Sequence, residues 1–96
     1  MKIDFNKNAD TLTVYLDGRL DTTTAPELES FFRSNLAGIR AMEINCEKLT
    51  YVSSAGLRVL LGAQKKMLTG LKLTNVCDLV MEVFEITGFV DVLTIE

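Results

Sequence analysis

The fold of this chain is decided by the segment Cys46-Glu-Lys-Leu-Thr-Tyr-Val-Ser-Ser-Ala-Gly-Leu-Arg-Val-Leu-Leu-Gly62. Its first half has the pattern of a β-strand, and an amphipathic helix must begin where that strand ends in two serines. Ser54 is therefore predicted at a helix N-terminus, where free amide N–H groups and the helix dipole favour an anion. A phosphate formed on the Ser54 hydroxyl would suit this position, which suggests a switch.

Length and composition indicate one small globular domain over residues 1–96, because 96 residues with 48% hydrophobic content form a single core. The net charge is −3 and the basic residues are scattered, so no nucleic acid partner is expected. Apolar runs are far shorter than a membrane span, and the N-terminus lacks a signal-peptide pattern. We expect a soluble, cytoplasmic protein without direct membrane insertion.

Residues that usually carry enzyme chemistry are scarce. The chain has no His, which removes the commonest general base and metal ligand. Cys46 and Cys77 lie too far apart for a CxxC pair or a clustered zinc site, so both are predicted to be buried structural thiols. No catalytic residue, metal or cofactor is therefore predicted, and an enzyme is disfavoured.

The order of elements predicts an α/β fold, β-β-α-β-α-β-α-β, with a mostly parallel sheet of four to five strands and an antiparallel first strand. Strands are predicted at Met1–Asn6, Thr11–Asp17, Ala41–Cys46, Leu71–Val76 and Val92–Ile95. The first helix begins with Thr24 as N-cap, carries Pro26 and Glu27 in its first turn and ends at Gly38. A third helix covers Leu79–Thr87 and is stopped by Gly88.

The central helix has two predicted faces. The face toward the sheet carries Leu57, Leu60, Leu61, Gln64, Met67 and Leu68. The opposite face is weakly basic and able to receive another protein; it carries Arg58, Val59, Gly62, Lys65, Lys66 and Thr69. Gly62 is unusual inside a helix, and it serves either the close approach of a partner or packing against the neighbouring helix.

The loops that follow parallel strands should meet at one edge of the sheet, and they are Gly18–Thr24, Glu47–Ser54 and Cys77-Asp78. A small ligand near Asp21, Thr22 and Asp78 stays open, and none is proposed. The hydroxyls of Ser53 and Ser54 can cap the helix, accept a phosphoryl group, or do both. If Ser54 is an acceptor, the base, metal and nucleotide come from another protein.

Two segments, Leu16-Asp-Gly-Arg-Leu-Asp-Thr-Thr-Thr-Ala-Pro-Glu-Leu28 and Leu49-Thr-Tyr-Val-Ser-Ser-Ala-Gly-Leu-Arg-Val-Leu-Leu61, give the chain a specific resemblance to the STAS family. It resembles in particular the stand-alone bacterial anti-sigma factor antagonists. The resemblance implies that an anti-sigma factor with serine kinase activity phosphorylates Ser54 and that a serine phosphatase removes the phosphate. It also implies that the unphosphorylated form binds the anti-sigma factor and frees a sigma factor.

The predicted partner-binding residues are Asp21, Thr22, Ser53, Ser54, Ala55, Gly56, Arg58, Val59, Gly62, Lys65 and Lys66. The protein is expected to be a monomer or weak dimer. The sequence departs from the family pattern at Ser53, where an Asp often stands, and at Ala55, which replaces a second hydroxyl. These departures leave open a different kinase partner, phosphorylation of Ser53, or a STAS module that assembles constitutively, for example in a lipid-transport complex.

Overall fold

A computed structural model describes residues 1–67 and 70–96 of the chain. Strands and helices follow the predicted order, and a short 3-10 helix follows the last α-helix. The elements are β1 Lys2–Asn8, β2 Thr11–Leu20, α1 Ala25–Asn35, β3 Ala41–Val52, α2 Ser54–Met67, β4 Leu71–Thr74, α3 Asp78–Thr87 and the 3-10 helix Phe89–Asp91.

The sheet has the strand order β1-β2-β3-β4, in which β1 is antiparallel to β2 and the other neighbours are parallel. The predicted mixed sheet is therefore confirmed. The predicted closing strand Val92–Ile95 is reduced to one bridge, in which Ile95 pairs in parallel with Leu73. The chain before it turns through the 3-10 helix, which leaves too few extended residues for a full strand.

One face of the sheet carries the core and the other lies open. Rows such as Leu12, Met42 and Leu71 continue across neighbouring strands and are buried beneath the helices. The alternate row, Thr13, Glu43 and Lys72, forms part of the polar face. Because side chains alternate along a strand, this pattern places all three helices on one side of the sheet.

The buried face of α2 differs from the predicted stripe. Leu57 and Leu60 are buried as expected, but Gly56 and Ala63 complete the buried set. Leu61, Gln64 and Met67 are only half-buried, because the helix is rotated so that its smaller residues approach the sheet and α1. Leu68 of the predicted stripe and Thr69 of the opposite face lie outside the described residues.

The predictions for the two cysteines and for the helix ends are confirmed only in part. Cys46 is buried in β3, whereas Cys77 is only half-buried before α3, and both are free thiols. Gly88 ends α3 in the left-handed conformation with φ of 79°, as predicted. The first helix ends earlier than predicted, at Asn35, and Gly38 adopts a φ of 78° in the turn that follows.

Candidate functional site at the start of α2

The pairing of β2 with β3 brings two loops together at one end of the sheet. The parallel register continues through two shifts, between Tyr15 and Asp17 and between Gly18 and Arg19, to Leu20 and Val52, the last residues of their strands. The Ser53 N–H then donates a 2.9 Å hydrogen bond to the Leu20 carbonyl. The turn before α1 and the start of α2 are therefore held side by side by main-chain contacts.

The two serines have different environments. Ser53 is half-buried, and its hydroxyl accepts a long hydrogen bond of 3.4 Å from the Gly56 N–H, while its carbonyl accepts one from the Leu57 N–H. These are the contacts of an N-cap residue. Ser54 is exposed as the first residue of α2, and its hydroxyl makes no hydrogen bond within the described residues. Ser53 therefore caps the helix, whereas the neighbouring Ser54 hydroxyl is exposed.

Asp21 organises the turn that leads into α1. Its Oδ1 accepts hydrogen bonds from the Thr23 hydroxyl at 2.7 Å, the Thr23 N–H at 3.0 Å and the Thr24 N–H at 3.1 Å. These donors, with the Thr23 hydroxyl the strongest influence, lower the pKa of Asp21 against the opposing effect of desolvation. The carboxylate is therefore held in its ionised form, where it fixes the turn.

Thr24 is the N-cap residue of α1, as predicted, but its side chain does not cap the helix. Thr24 precedes α1, but its hydroxyl makes no cap hydrogen bond with the helix and Glu27 gives no capping box. Instead, the Thr24 hydroxyl accepts from the Asp21 N–H at 2.8 Å, while Asp21 accepts from the Thr24 N–H. The Ala25 N–H also donates to the Asp21 carbonyl, so the reciprocal hydrogen bonds between Asp21 and Thr24 fix the turn that precedes the helix.

A residue that the sequence analysis did not select, Arg19, connects the two loops. Its guanidinium lies 4.2 Å from the centre of the Tyr51 ring near the end of β3. The Arg19 Nε also lies 3.8 Å from the Asp21 carboxylate. A cation stacked on one strand and paired with the neighbouring turn restrains their relative position. The sequence places Arg19 and Tyr51 near the ends of β2 and β3. Their pairing across the two strands could be predicted only if the register shifts between these strands were known.

The surface beside Ser54 is formed by α1 and α2 together, and we call it the α1/α2 face. A shallow depression of about 290 Å³ is lined by Thr22, Ala55, Arg58 and Val59, with residues from the start of α1. A second groove of about 150 Å³ continues along the helices past Gly62 and Lys66. The structure thus brings together most of the predicted partner-binding residues along one continuous surface.

Five of the predicted partner-binding residues line neither depression: Ser53 and Ser54 at the start of α2, and Asp21, Gly56 and Lys65. Gly56 is buried beneath the surface, Asp21 lies within its hydrogen-bonded turn, and Lys65 is exposed outside both linings. Asp78, which was considered for a ligand site, opens α3 and lines neither depression.

Helix α1 contributes side chains that the sequence analysis did not select. These are Pro26, Glu29, Phe32, Arg33 and Leu36. The spacing of apolar residues in α1 predicted that one face of this helix is buried. Which edge of that face contacts α2 depends on how the two helices pack, and the spacing alone does not determine it.

Residues 1–67 and 70–96 contain no group of three or more His, Cys, Asp and Glu side chains arranged to hold a metal ion. None of the helices described there has the length and apolar character needed to cross a bilayer.

Comparison with known proteins identifies the family. The model of the STAS domain matches residues 2–96. The chain belongs to the STAS domain family. An anti-sigma-B factor antagonist of Staphylococcus aureus is 33% identical over 98 residues, covering 92% of this chain and 91% of that protein. The predicted family is therefore confirmed.

Solved structures share the fold of this STAS domain. The anti-sigma factor antagonist SpoIIAA in its unphosphorylated form gives a TM-score of 0.83 at 19% identity, covering 99% of this chain and 88% of that one. Phosphorylated SpoIIAA of Bacillus gives a TM-score of 0.74 at 18% identity, covering 99% and 91%. At these identities the likeness demonstrates the common fold.

Proposed function

We propose that this STAS domain is an anti-sigma factor antagonist whose binding is switched by phosphorylation of Ser54. In its unphosphorylated form it binds an anti-sigma factor with serine kinase activity and so releases a sigma factor. The named role of the Staphylococcus aureus relative supports the antagonist part of the proposal. A phosphatase that removes the phosphate would restore binding.

The observation that carries the switch is the exposed hydroxyl of Ser54, which makes no hydrogen bond to residues 1–67 or 70–96. Its neighbour Ser53 already caps the helix, so modification of Ser54 removes no hydrogen bond from the fold. A kinase can reach Ser54 without unfolding α2, because the residue lies exposed at the helix start. Phosphorylation would add about −1.5 to −2 charges while leaving the scaffold in place.

The electrostatics of the α1/α2 face explain how that charge would act. Arg58 lies four residues after Ser54, so both occupy the same side of α2. Arg58 is exposed and forms no ion pair with the described residues. A phosphate on Ser54 would therefore compete for Arg58 and repel an acidic partner surface, lowering the positive charge of the face.

The chain acts in this proposal as a substrate and binding module. The Ser54 oxygen attacks the γ-phosphorus of ATP held by the kinase, the bond to the β-phosphate breaks, and ADP leaves. The hydroxyl proton passes to a base of the kinase. Thr22, Ala55, Arg58 and Val59 supply the adjoining docking surface.

The test uses the cognate anti-sigma factor kinase and ATP, followed by mass mapping of the modified peptide. We expect one phosphate on Ser54 in the wild type and in Ser53→Ala, and none in Ser54→Ala. Phosphate on Ser53 alone would reassign the acceptor. No phosphate on either serine, together with stable co-purification with an ATPase, would support the constitutive assembly subunit instead.

A further inference from the structure

The outer side of α3 presents two exposed apolar side chains, Leu79 and Ile86, on either side of Val83, which packs partly against the core. Leu79 is 59% exposed and Ile86 is 78% exposed. Val83 lies between them at helical spacing and is half-buried. Val80 and Phe84 anchor α3 in the core, and Leu79 and Ile86 lie outside that core packing.

An acidic row runs beside these apolar side chains. Asp78, Glu82 and Glu85 are exposed and recur at spacings of four and three residues, which places them on one side of α3. No basic residue follows Lys72 in the sequence, so the whole C-terminal quarter is acidic. A surface that fits α3 must therefore combine an apolar contact with positive charge.

The α2 part of the α1/α2 face has this complementary character, and the acidic residue that lines the groove, Glu29 of α1, is paired with Arg33 at 3.6 Å. Every charged residue from Lys48 to Lys72 is basic. Arg58, Lys65 and Lys66 are exposed on α2 around Gly62, where an added Cβ would meet no atom within 4 Å. This open notch adjoins the groove of about 150 Å³, which is lined partly by apolar side chains of α1 and α2.

We propose that α3 of one copy docks on the α1/α2 face of a second copy. Ile86 enters the notch over Gly62, and the acidic row of α3 faces Arg58, Lys65 and Lys66. The two surfaces differ, so the contact is head-to-tail and leaves a free α3 and a free α1/α2 face at its ends. Self-association would therefore compete with any other protein that binds the α1/α2 face.

The first test is sedimentation velocity of the full chain from about 10 µM to about 1 mM, concentrations that detect weak association. At low salt, the weight-average sedimentation coefficient of the wild type should rise with concentration. Ile86→Ser and the double variant Glu82→Lys/Glu85→Lys should each raise the dissociation constant by about tenfold or more. Raising NaCl from about 50 mM to about 500 mM should also weaken association, because exposed charges become screened.

A charge-exchange experiment tests the pairing itself. Glu82→Lys/Glu85→Lys and Arg58→Glu/Lys65→Glu should each be monomeric alone, whereas their mixture should associate. Adding Ile86→Ser to the first variant should abolish that recovery. As a matched control on the open sheet face, Asp17→Lys/Glu47→Lys should associate like the wild type. A wild type that stays monomeric throughout, or a mixture that does not associate, would overturn the proposal.

Discussion

Gly56 and Leu20 lie in direct contact where α2 begins against the end of β2. A Cβ added to Gly56 would come within 2.6 Å of Leu20 Cγ and 3.0 Å of the Leu20 carbonyl oxygen. Leu20 is fully buried and cannot move into solvent. The missing side chain therefore allows the first turn of α2 to pack on the sheet, which sets the position of Ser54.

Substituting Gly56 with Ala should destabilise the fold. Overpacking typically costs about 1–3 kcal/mol, which outweighs the gain of about 1 kcal/mol in helix propensity. Gly62→Ala is the matched control, because the added methyl at Gly62 meets open space and should stabilise by up to about 1 kcal/mol. Urea unfolding of both variants measures the difference. Equal effects in the two variants would show that the contact with Leu20 is unimportant.

The Thr23 hydroxyl should control the ionisation of Asp21. Removing it in Thr23→Val should raise the pKa of Asp21 toward its ordinary value, because the strongest of its donors is lost. Thr22→Val is the control, since no Thr22 hydrogen bond to Asp21 is formed within the described residues. Titration of the Asp21 carboxyl carbon by NMR measures both. An unchanged pKa in Thr23→Val would contradict the assignment.

The hydrogen bond from the Thr23 hydroxyl to Asp21 also determines how the free energy of unfolding should change with pH. The native pKa of Asp21 is lower than the unfolded value of about 3.9. Its stabilisation is therefore fully present above the unfolded pKa and is lost as the pH falls through the lower native pKa. In Thr23→Val this acid-dependent loss should be smaller than in the wild type.

The rotation of α2 predicts unequal roles for adjacent leucines. Leu60 has no exposed surface, and Leu60→Ala should cost about 2–5 kcal/mol because a cavity is left in the core. Leu61 is only half-buried, so Leu61→Ala should cost clearly less. The free energies of unfolding from denaturant titrations test this. Similar losses of unfolding free energy in Leu60→Ala and Leu61→Ala would instead favour the predicted arrangement, in which both leucines face the sheet.

The two thiols should react at different rates. Burial, with a smaller contribution from Cys77, raises the pKa of Cys46 to about 12, so its thiolate is scarce near neutral pH. Cys77 is half-buried and should be alkylated first. Mass spectrometry after timed exposure to N-ethylmaleimide should find Cys46 modified only when the protein unfolds. Rapid labelling of Cys46 in Cys77→Ala under native conditions would contradict this.

Local patterns were sufficient for the order of elements and for the strand-to-helix position of Ser54. Alternation in β2 and β3, the glycine stop at Gly88 and the hydroxyls at Ser53 and Ser54 depend on neighbours in sequence. Such features predict where an element begins and ends. They do not determine how one element rotates against another.

The features that escaped prediction depend on contacts between distant residues. Arg19 and Tyr51 meet because β2 and β3 pair through two register shifts, and Gly56 faces the sheet because Leu20 lies beneath it. Thr24 is the N-cap residue that its pattern indicated, but its hydroxyl accepts from the Asp21 N–H and not from the helix. The role of Ser54 as phosphoacceptor remains a prediction.

The most direct measurement of the central claim is calorimetric binding of the anti-sigma factor to this protein with and without phosphate installed at Ser54. Genetically encoded phosphoserine provides the modified form without a kinase step. The account predicts that the phosphorylated protein binds at least about tenfold more weakly, a difference of about 1.4 kcal/mol. Equal dissociation constants for the two forms would contradict it.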